Sequence, residues 1–326
     1  MTKYSISQAA FLSGIFLISY VLMLLQGVSR KARNVGFDLD YYADASTQAV
    51  NNYKLFINYI LSTIPMSWLF VGFIPLVLFL LIVEFGIGNS ISKIGKVKLY
   101  RSLLIFTPFL YLSSSGYRDL IISGLFALAY VCLVENKYLK LIFVFVLMFL
   151  LRDLTAILIA ALILAYYVKQ RLLLIICTPI LIFFSQVGIS LLDDNFIQTL
   201  GMYRNAYAVA ILNSNSNLLP SEFFDLIDAT DLISSGFLYY CLVILFWPFL
   251  SILNLIIFLT MIIATVFVYN QIGFNKKLLV IYTFSFLLYI NVYCLIGYAP
   301  SALVRHFCIV ASAFWIANYY NFYRKA

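Results

Sequence analysis

Charge is scarce in this chain. Only 10% of its 326 residues are Asp, Glu, Lys or Arg and 64% are hydrophobic, against about 25% and about 45–50% in an ordinary soluble domain. A soluble enzyme is excluded, and the expected fold is an all-α, polytopic helix bundle in a membrane. Histidine is scarcer still, with His306 the sole example, and no Cys-x-x-Cys occurs. No zinc pattern is present and neither metal nor cofactor is expected. Cys132, Cys177, Cys241, Cys294 and Cys308 all lie inside apolar runs, where a thiol packs as a small hydrophobe, so no disulfide framework is implied. No polar stretch of soluble-domain length separates the apolar runs, so residues 1–326 read as a single transmembrane domain. The first run, 9–25, has no small-x-small cleavage site before QGVSRKARN and reads as a retained helix. The net charge of +8 falls in short lysine clusters between apolar runs. These are topology signals facing anionic membrane lipids, and a nucleic-acid partner is not expected.

What is present is a series of about ten apolar spans, near 9–25, 66–86, 102–115, 120–134, 141–151, 154–168, 172–192, 236–269, 278–296 and 307–320. With the N-terminus inside and 236–269 crossing once as a long broken helix, 13 of the 21 basic residues fall in inside segments and every short inside loop is basic. Both termini are then cytoplasmic. Ten of those 13 are lysine, whereas six of the eight outside are arginine: Arg30, Arg33, Arg118, Arg152, Arg204 and Arg305. Eleven of the 13 carboxylates also lie outside, leaving Glu84 and Glu135 inside. Arginine's planar fork suits bidentate binding of phosphate oxygens, so chemistry is expected at the outer face. Two long outer loops, roughly 26–65 and 193–235, carry many aromatic residues.

Helix length sets how deep the arginines sit. Eleven residues separate Lys140 from Arg152, about 17 Å of helix, against a hydrocarbon core near 30 Å. Fifteen separate Asp119 from Glu135 and fifteen separate Asp153 from Lys169, about 22 Å each. If the inner charges hold the cytoplasmic surface, the Arg118–Asp119 and Arg152–Asp153 pairs are sunk below the outer one, where unpaired charge is costly and faces a wet cavity or the bundle interior. Each aspartate is placed to open an inward helix at the positive end of its dipole. Arg305–His306 before the run at 307–320 is a third instance. Three inward helices thus begin with arginine and a second polar group, and a shared anion-binding cavity is expected.

Three stretches resemble the EpsG/Wzy group of polysaccharide polymerases: VGFDLDYY at 35–42, SGYRDLIISGLFALAYV at 115–131 and LLRDLTAILIAALI at 150–163. Arg305 before an aromatic helix is similar too, and together these cover about a third of the chain. The chain departs from the family's pattern at Arg152–Asp153, where a histidine is frequent, and at Asp119, where glutamine is. The resemblance implies a membrane glycosyltransferase of O-antigen, capsule or exopolysaccharide synthesis, in the bacterial inner membrane with an extracytoplasmic site. Its partners would be polyprenyl-diphosphate-linked oligosaccharide, membrane lipids and a chain-length regulator protein.

In the implied reaction, a sugar hydroxyl of one carrier-linked unit attacks the anomeric carbon of another chain, and polyprenyl diphosphate departs. Arg118, Arg152 and Arg305 would bind that diphosphate. The base is one of Asp38, Asp40, Asp153 and His306. Tyr41, Tyr42, Asp119 and Arg204 would contact the substrate. Two other classes compete. A transporter or flippase for the same lipid would also want buried arginines, but the chain shows no inverted repeat at the half-chain scale. A membrane O-acyltransferase would need a histidine near the early helices, and none is there.

Overall fold

The computed structural model describes residues 3–32, 73–114, 118–168, 175, 252–296 and 300–324. Among them the chain is helical throughout, apart from one isolated antiparallel bridge between Ile91 and Arg324. The helices are α1 (Lys3–Ala32), α2 (Ile74–Leu81), α3 (Lys93–Leu103), α4 (Thr107–Ser114), α5 (Asp119–Val134), α6 (Tyr138–Leu151), α7 (Ala156–Tyr167), α8 (Ile252–Ile272), α9 (Lys276–Ile296) and α10 (Pro300–Tyr323). A π-helical segment, Ile82–Ile87, and a 3-10 turn, Gly88–Ser90, continue α2, and a second 3-10 turn, Asp153–Thr155, precedes α7. By length and composition, Ile6–Leu25 of α1 is the one helix among the described residues able to cross a membrane unaided. The remaining apolar helices, including Asp119–Val134, Tyr138–Leu151 and Ala156–Tyr167, are shorter.

These ten helices do not map one to one onto the ten expected spans. The span at 172–192, apart from residue 175, and the start of 236–269 lie outside the described residues. The stretch expected to hold a basic loop and then a span at 102–115 instead forms two helices, α3 and α4. Ser92 caps α3 by accepting a bond from the Gly95 N–H at 3.3 Å, and the buried Leu99 and Leu103 recur at helical spacing. Pro108, in the first turn of α4, has no N–H to continue α3, so the two helices break at residues 104–106. The expected third inward helix also differs. It begins at Pro300, a residue whose fixed φ suits a first helical position, so Arg305 and His306 lie in its second turn and not at its mouth.

The chain divides into two compact units, the first of residues 1–159, 263–278 and 308–326, the second of residues 160–262 and 279–307. In the first, α5 is the innermost element, buried at every residue from Asp119 to Leu133. Its partner α6 buries only Leu141, Val144 and Met148 and leaves Ile142, Phe143, Val146, Phe149 and Leu150 exposed. Helix α6 thus leaves a contiguous apolar face bare. The turn between them is closed by Asn136 at φ 55°, with Asn136 N–H bonded to Leu133 O (3.2 Å) and Lys137 N–H to Cys132 O (2.8 Å), the paired bonds of a left-handed helix cap.

The last turns of α10 gather the loops at one end of this unit. Asn318 bonds Gly273 O and the Asn275 N–H, Tyr320 donates to Glu135, Asn321 exchanges bonds with Tyr130, and Tyr323 O accepts from Ser92 N–H. Higher up, Trp315 donates to Ser102 Oγ at 2.9 Å and stacks on Phe106 with ring centres 4.0 Å apart. Gly95 is required here, because a Cβ on it would overlap Tyr323 Cβ and Ile91 Cγ2.

Glu135 gives this end a pH dependence. Burial pushes its carboxyl up, but hydrogen bonds from Lys137, Ser90 and Tyr320 outweigh that and hold it below its ordinary 4.5. A lowered folded-state value stabilises fully above the ordinary value, and the stabilisation is lost as pH falls through the lowered one. Melting temperature should therefore fall between about pH 6 and about pH 3.5 by less in Glu135→Gln than in the native chain. An identical fall in both would show that the Glu135 cluster does not contribute.

Candidate anion-binding site

The opposite end of α5 carries Arg118 and Asp119. Arg118 precedes the first helical residue in αR backbone (φ −54°, ψ −21°), and no side chain caps the helix. Asp119 is 1% exposed. A carboxylate buried so deeply needs a partner, and Arg152 supplies one from 33 residues away, its Nη1 donating to Asp119 Oδ1 at 3.2 Å. The backbone places Arg152 there. α6 ends at Leu151, Arg152 turns extended (φ −165°) with its N–H still bonded to Met148 O, and its carbonyl accepts from Thr155 N–H (2.9 Å) and Thr155 Oγ1 (2.6 Å). Thr155 thus locks the junction that aims the guanidinium.

Arg118 differs from Arg152. Its Nη1 is buried and has no hydrogen-bond partner among the described residues. A guanidinium carries five donors and cannot shed its charge, so a buried nitrogen of this kind is a standing cost of about 1–3 kcal/mol until an acceptor arrives. The site therefore holds one arginine fixed by a carboxylate and one with a donor open, both at the N-terminal end of a sixteen-residue helix, where the dipole also favours an anion.

Helix α1 marks its level within the unit. Ser19 and Ser113, both buried, share a hydrogen bond at 2.9 Å, and Ser113 lies in the last turn of α4, just before Arg118. The apolar stretch of α1 continues six residues beyond Ser19 to Leu25, or about 9 Å. At the far end of α5 stand Glu135 and Lys137, ion-paired at 2.6 Å. The first turns of α1 belong with that far end, because Gln8 donates to Glu84 at 3.0 Å and Glu84 also pairs with Lys96 and accepts from Tyr100, both at 2.6 Å. Lys96 and Lys137, on Glu84 and Glu135, and Arg324, on its bridge to Ile91, thus sit at one end of the unit, and the Asp119–Arg152 pair at the other.

Of the other expected site residues, Arg305 and His306 belong to the second unit. His306 is fully buried, and its Nδ1 shares a 2.8 Å hydrogen bond with the Tyr289 hydroxyl, the donor depending on the tautomer. Asp153 begins the 3-10 turn between α6 and α7. Asp38, Asp40, Tyr41, Tyr42 and Arg204 lie outside the described residues. Sequence reasoning did not anticipate the Asp119–Arg152 pairing, the Thr155 lock, the Ser19–Ser113 bond or the Glu84 cluster on its π-helical segment. Glu84 was legible as the lone charge in the run at 66–86.

No protein-family model, curated protein or solved structure matches the chain.

Proposed function

We propose that the chain is a polytopic membrane glycosyltransferase that extends polyprenyl-diphosphate-linked glycan at the outer face of a bacterial inner membrane, as its resemblance to the EpsG/Wzy polymerases implies. The observation that carries this reading is the open, buried Arg118 donor beside the Asp119–Arg152 pair. That arrangement suits a ligand bringing two or more anionic oxygens, such as a diphosphate. The lengths of α5 and α6 support a recessed position, at about 24 Å and 21 Å for their 16 and 14 residues, beside a hydrocarbon core near 30 Å. The gathering of basic loops at the opposite end supports an inside face there, with both termini on it.

In this reading Arg118 and Arg152 receive the diphosphate of the donor chain. The acceptor sugar's hydroxyl oxygen forms a bond to the anomeric carbon as the bond from that carbon to the diphosphate oxygen breaks. The hydroxyl proton passes to a base among Asp38, Asp40 and Asp153, and the negative charge on the departing diphosphate is met by the guanidinium donors. Asp119 positions Arg152. Because its carboxylate sets where that fork points, its contribution runs through the arginine and not through the sugar.

Deleting the gene and examining the surface glycan tests the proposal. Loss of long polymer with single repeat units retained is the expected result. Stranding of lipid-linked units on the cytoplasmic leaflet would instead identify a flippase, and an unchanged polymer ladder would refute both.

A further inference from the structure

The side of α3 that faces away from the protein is unusual in composition. Its inner side packs Gly95, Leu99, Tyr100, Ser102 and Leu103 against the first unit. The outer side exposes Lys93, Lys98 and Arg101, and among them Ile94, 47% exposed, with Ile105 just beyond the helix at 48%. Lys93 and Arg101 lie eight residues apart on one row, and Ile94 and Lys98 four apart on the next, so the three cations ring an aliphatic centre. The nearby carboxylates are already engaged: Glu84 by Lys96 and Tyr100, Glu135 by Lys137 and Tyr320. Among the described residues no carboxylate answers Lys93, Lys98 or Arg101.

Cations around exposed isoleucines match the boundary of an acidic membrane, where phosphate headgroups meet the first methylenes of the chains. A soluble polyanion would meet the same charges but gain nothing from the isoleucines. We propose that α3 is a surface helix that seats acidic phospholipid headgroups at the cytoplasmic leaflet, an inference that rests on the membrane reading above and names a lipid partner for the end remote from the anion site.

The same helix holds the end of α10. Ser92 N–H bonds Tyr323 O at 2.9 Å, Lys98 Nζ bonds the Tyr323 hydroxyl at 3.0 Å and stands 5.3 Å from that ring's centre, and Ser102 receives Trp315. Headgroups seated on Lys93 and Arg101 relieve the mutual repulsion of the helix's cations and so steady the surface against which α10 is latched. Lipid occupancy should therefore read out as thermal stability of the whole protein.

The test uses the purified full-length chain in a neutral detergent, titrated separately with phosphatidylglycerol, phosphatidylcholine and free glycerol phosphate. Phosphatidylglycerol alone is expected to raise the melting temperature, by about 3 °C. A Lys93→Gln/Arg101→Gln variant, which leaves Lys98 and the α10 latch untouched, should lose at least half of that rise. Native mass spectrometry of both proteins should show fewer retained phosphatidylglycerol molecules on the variant. An equal rise with phosphatidylcholine, an undiminished rise in the variant, or the same rise with glycerol phosphate overturns the proposal. Alkaline carbonate extraction separates the two layers of inference. A chain released from membranes contradicts the membrane reading itself, whereas a retained chain with no phosphatidylglycerol preference contradicts only the role of α3.

Discussion

Arg118→Ala should abolish glycan extension while leaving the protein as stable as before, or more so. The two effects have one cause. In the free protein the Arg118 Nη1 donor is buried without a partner, so removing the guanidinium removes a desolvation cost of about 1–3 kcal/mol and breaks no bond through that nitrogen. In the proposed reaction the same donor would meet the diphosphate, and deleting one such charge-assisted contact to a departing anion should cost about 100-fold in rate or more. A melting curve and a ladder of lipid-linked products, run on the same preparation, read both quantities. A variant that loses several degrees of stability would mark Arg118 as a structural residue, and one that still makes long ladders would remove it from the site.

Arg152→Ala should behave in the opposite way where stability is concerned. It removes from Asp119, 1% exposed, its ion-pair partner at 3.2 Å, and breaking one side of a buried pair costs about 3–5 kcal/mol. Asp119→Ala should be damaging for the mirror reason, since Arg152 loses its carboxylate. Replacing both by leucine restores most of the loss, since an apolar pair of similar bulk tolerates the site that a lone charge cannot. A double-mutant cycle closed with Arg152→Leu and Asp119→Leu should then give a coupling of about 2 kcal/mol or more, and every one of these variants should be inactive. Additive losses would mean that the pair does not form. Activity in the double-leucine variant would show that Arg152 only supports the fold.

Part of this was legible from residue order alone. Helices α5 and α6 follow from apolar runs bounded by charges, and their shortness follows from counting residues between those charges. The Asp119–Arg152 pairing was not legible, and the reason is geometric. Adjacent residues on a helix point about 100° apart, so the neighbours Arg118 and Asp119 look like a pair in sequence while the real partner crosses the hairpin. Arg118 is left open by the same geometry.

Helix α3 was missed because its lysines resemble a loop, although the Ser92 cap and the Leu99–Leu103 spacing were there to be read. Pro300 similarly moved the start of α10 ahead of Arg305, since proline ends a helix in its interior but suits its first turn. The contacts of Glu84 with Gln8, Lys96 and Tyr100 bring together α1, the π-helical segment and α3. No local pattern encodes such a meeting.

The most direct measurement is the affinity of the purified chain for polyprenyl diphosphate, compared with polyprenyl monophosphate and repeated for Arg118→Ala and Arg118→Lys. The account predicts that the native protein prefers the diphosphate, and that Arg118→Ala weakens its binding by about 10- to 100-fold while affecting the monophosphate less. Lysine, a single ammonium in place of a fork, should recover only part of the loss. Equal affinity of native and Arg118→Ala proteins for the diphosphate would contradict the claim that the guanidinium beside Asp119, with its buried Nη1, is there to hold it.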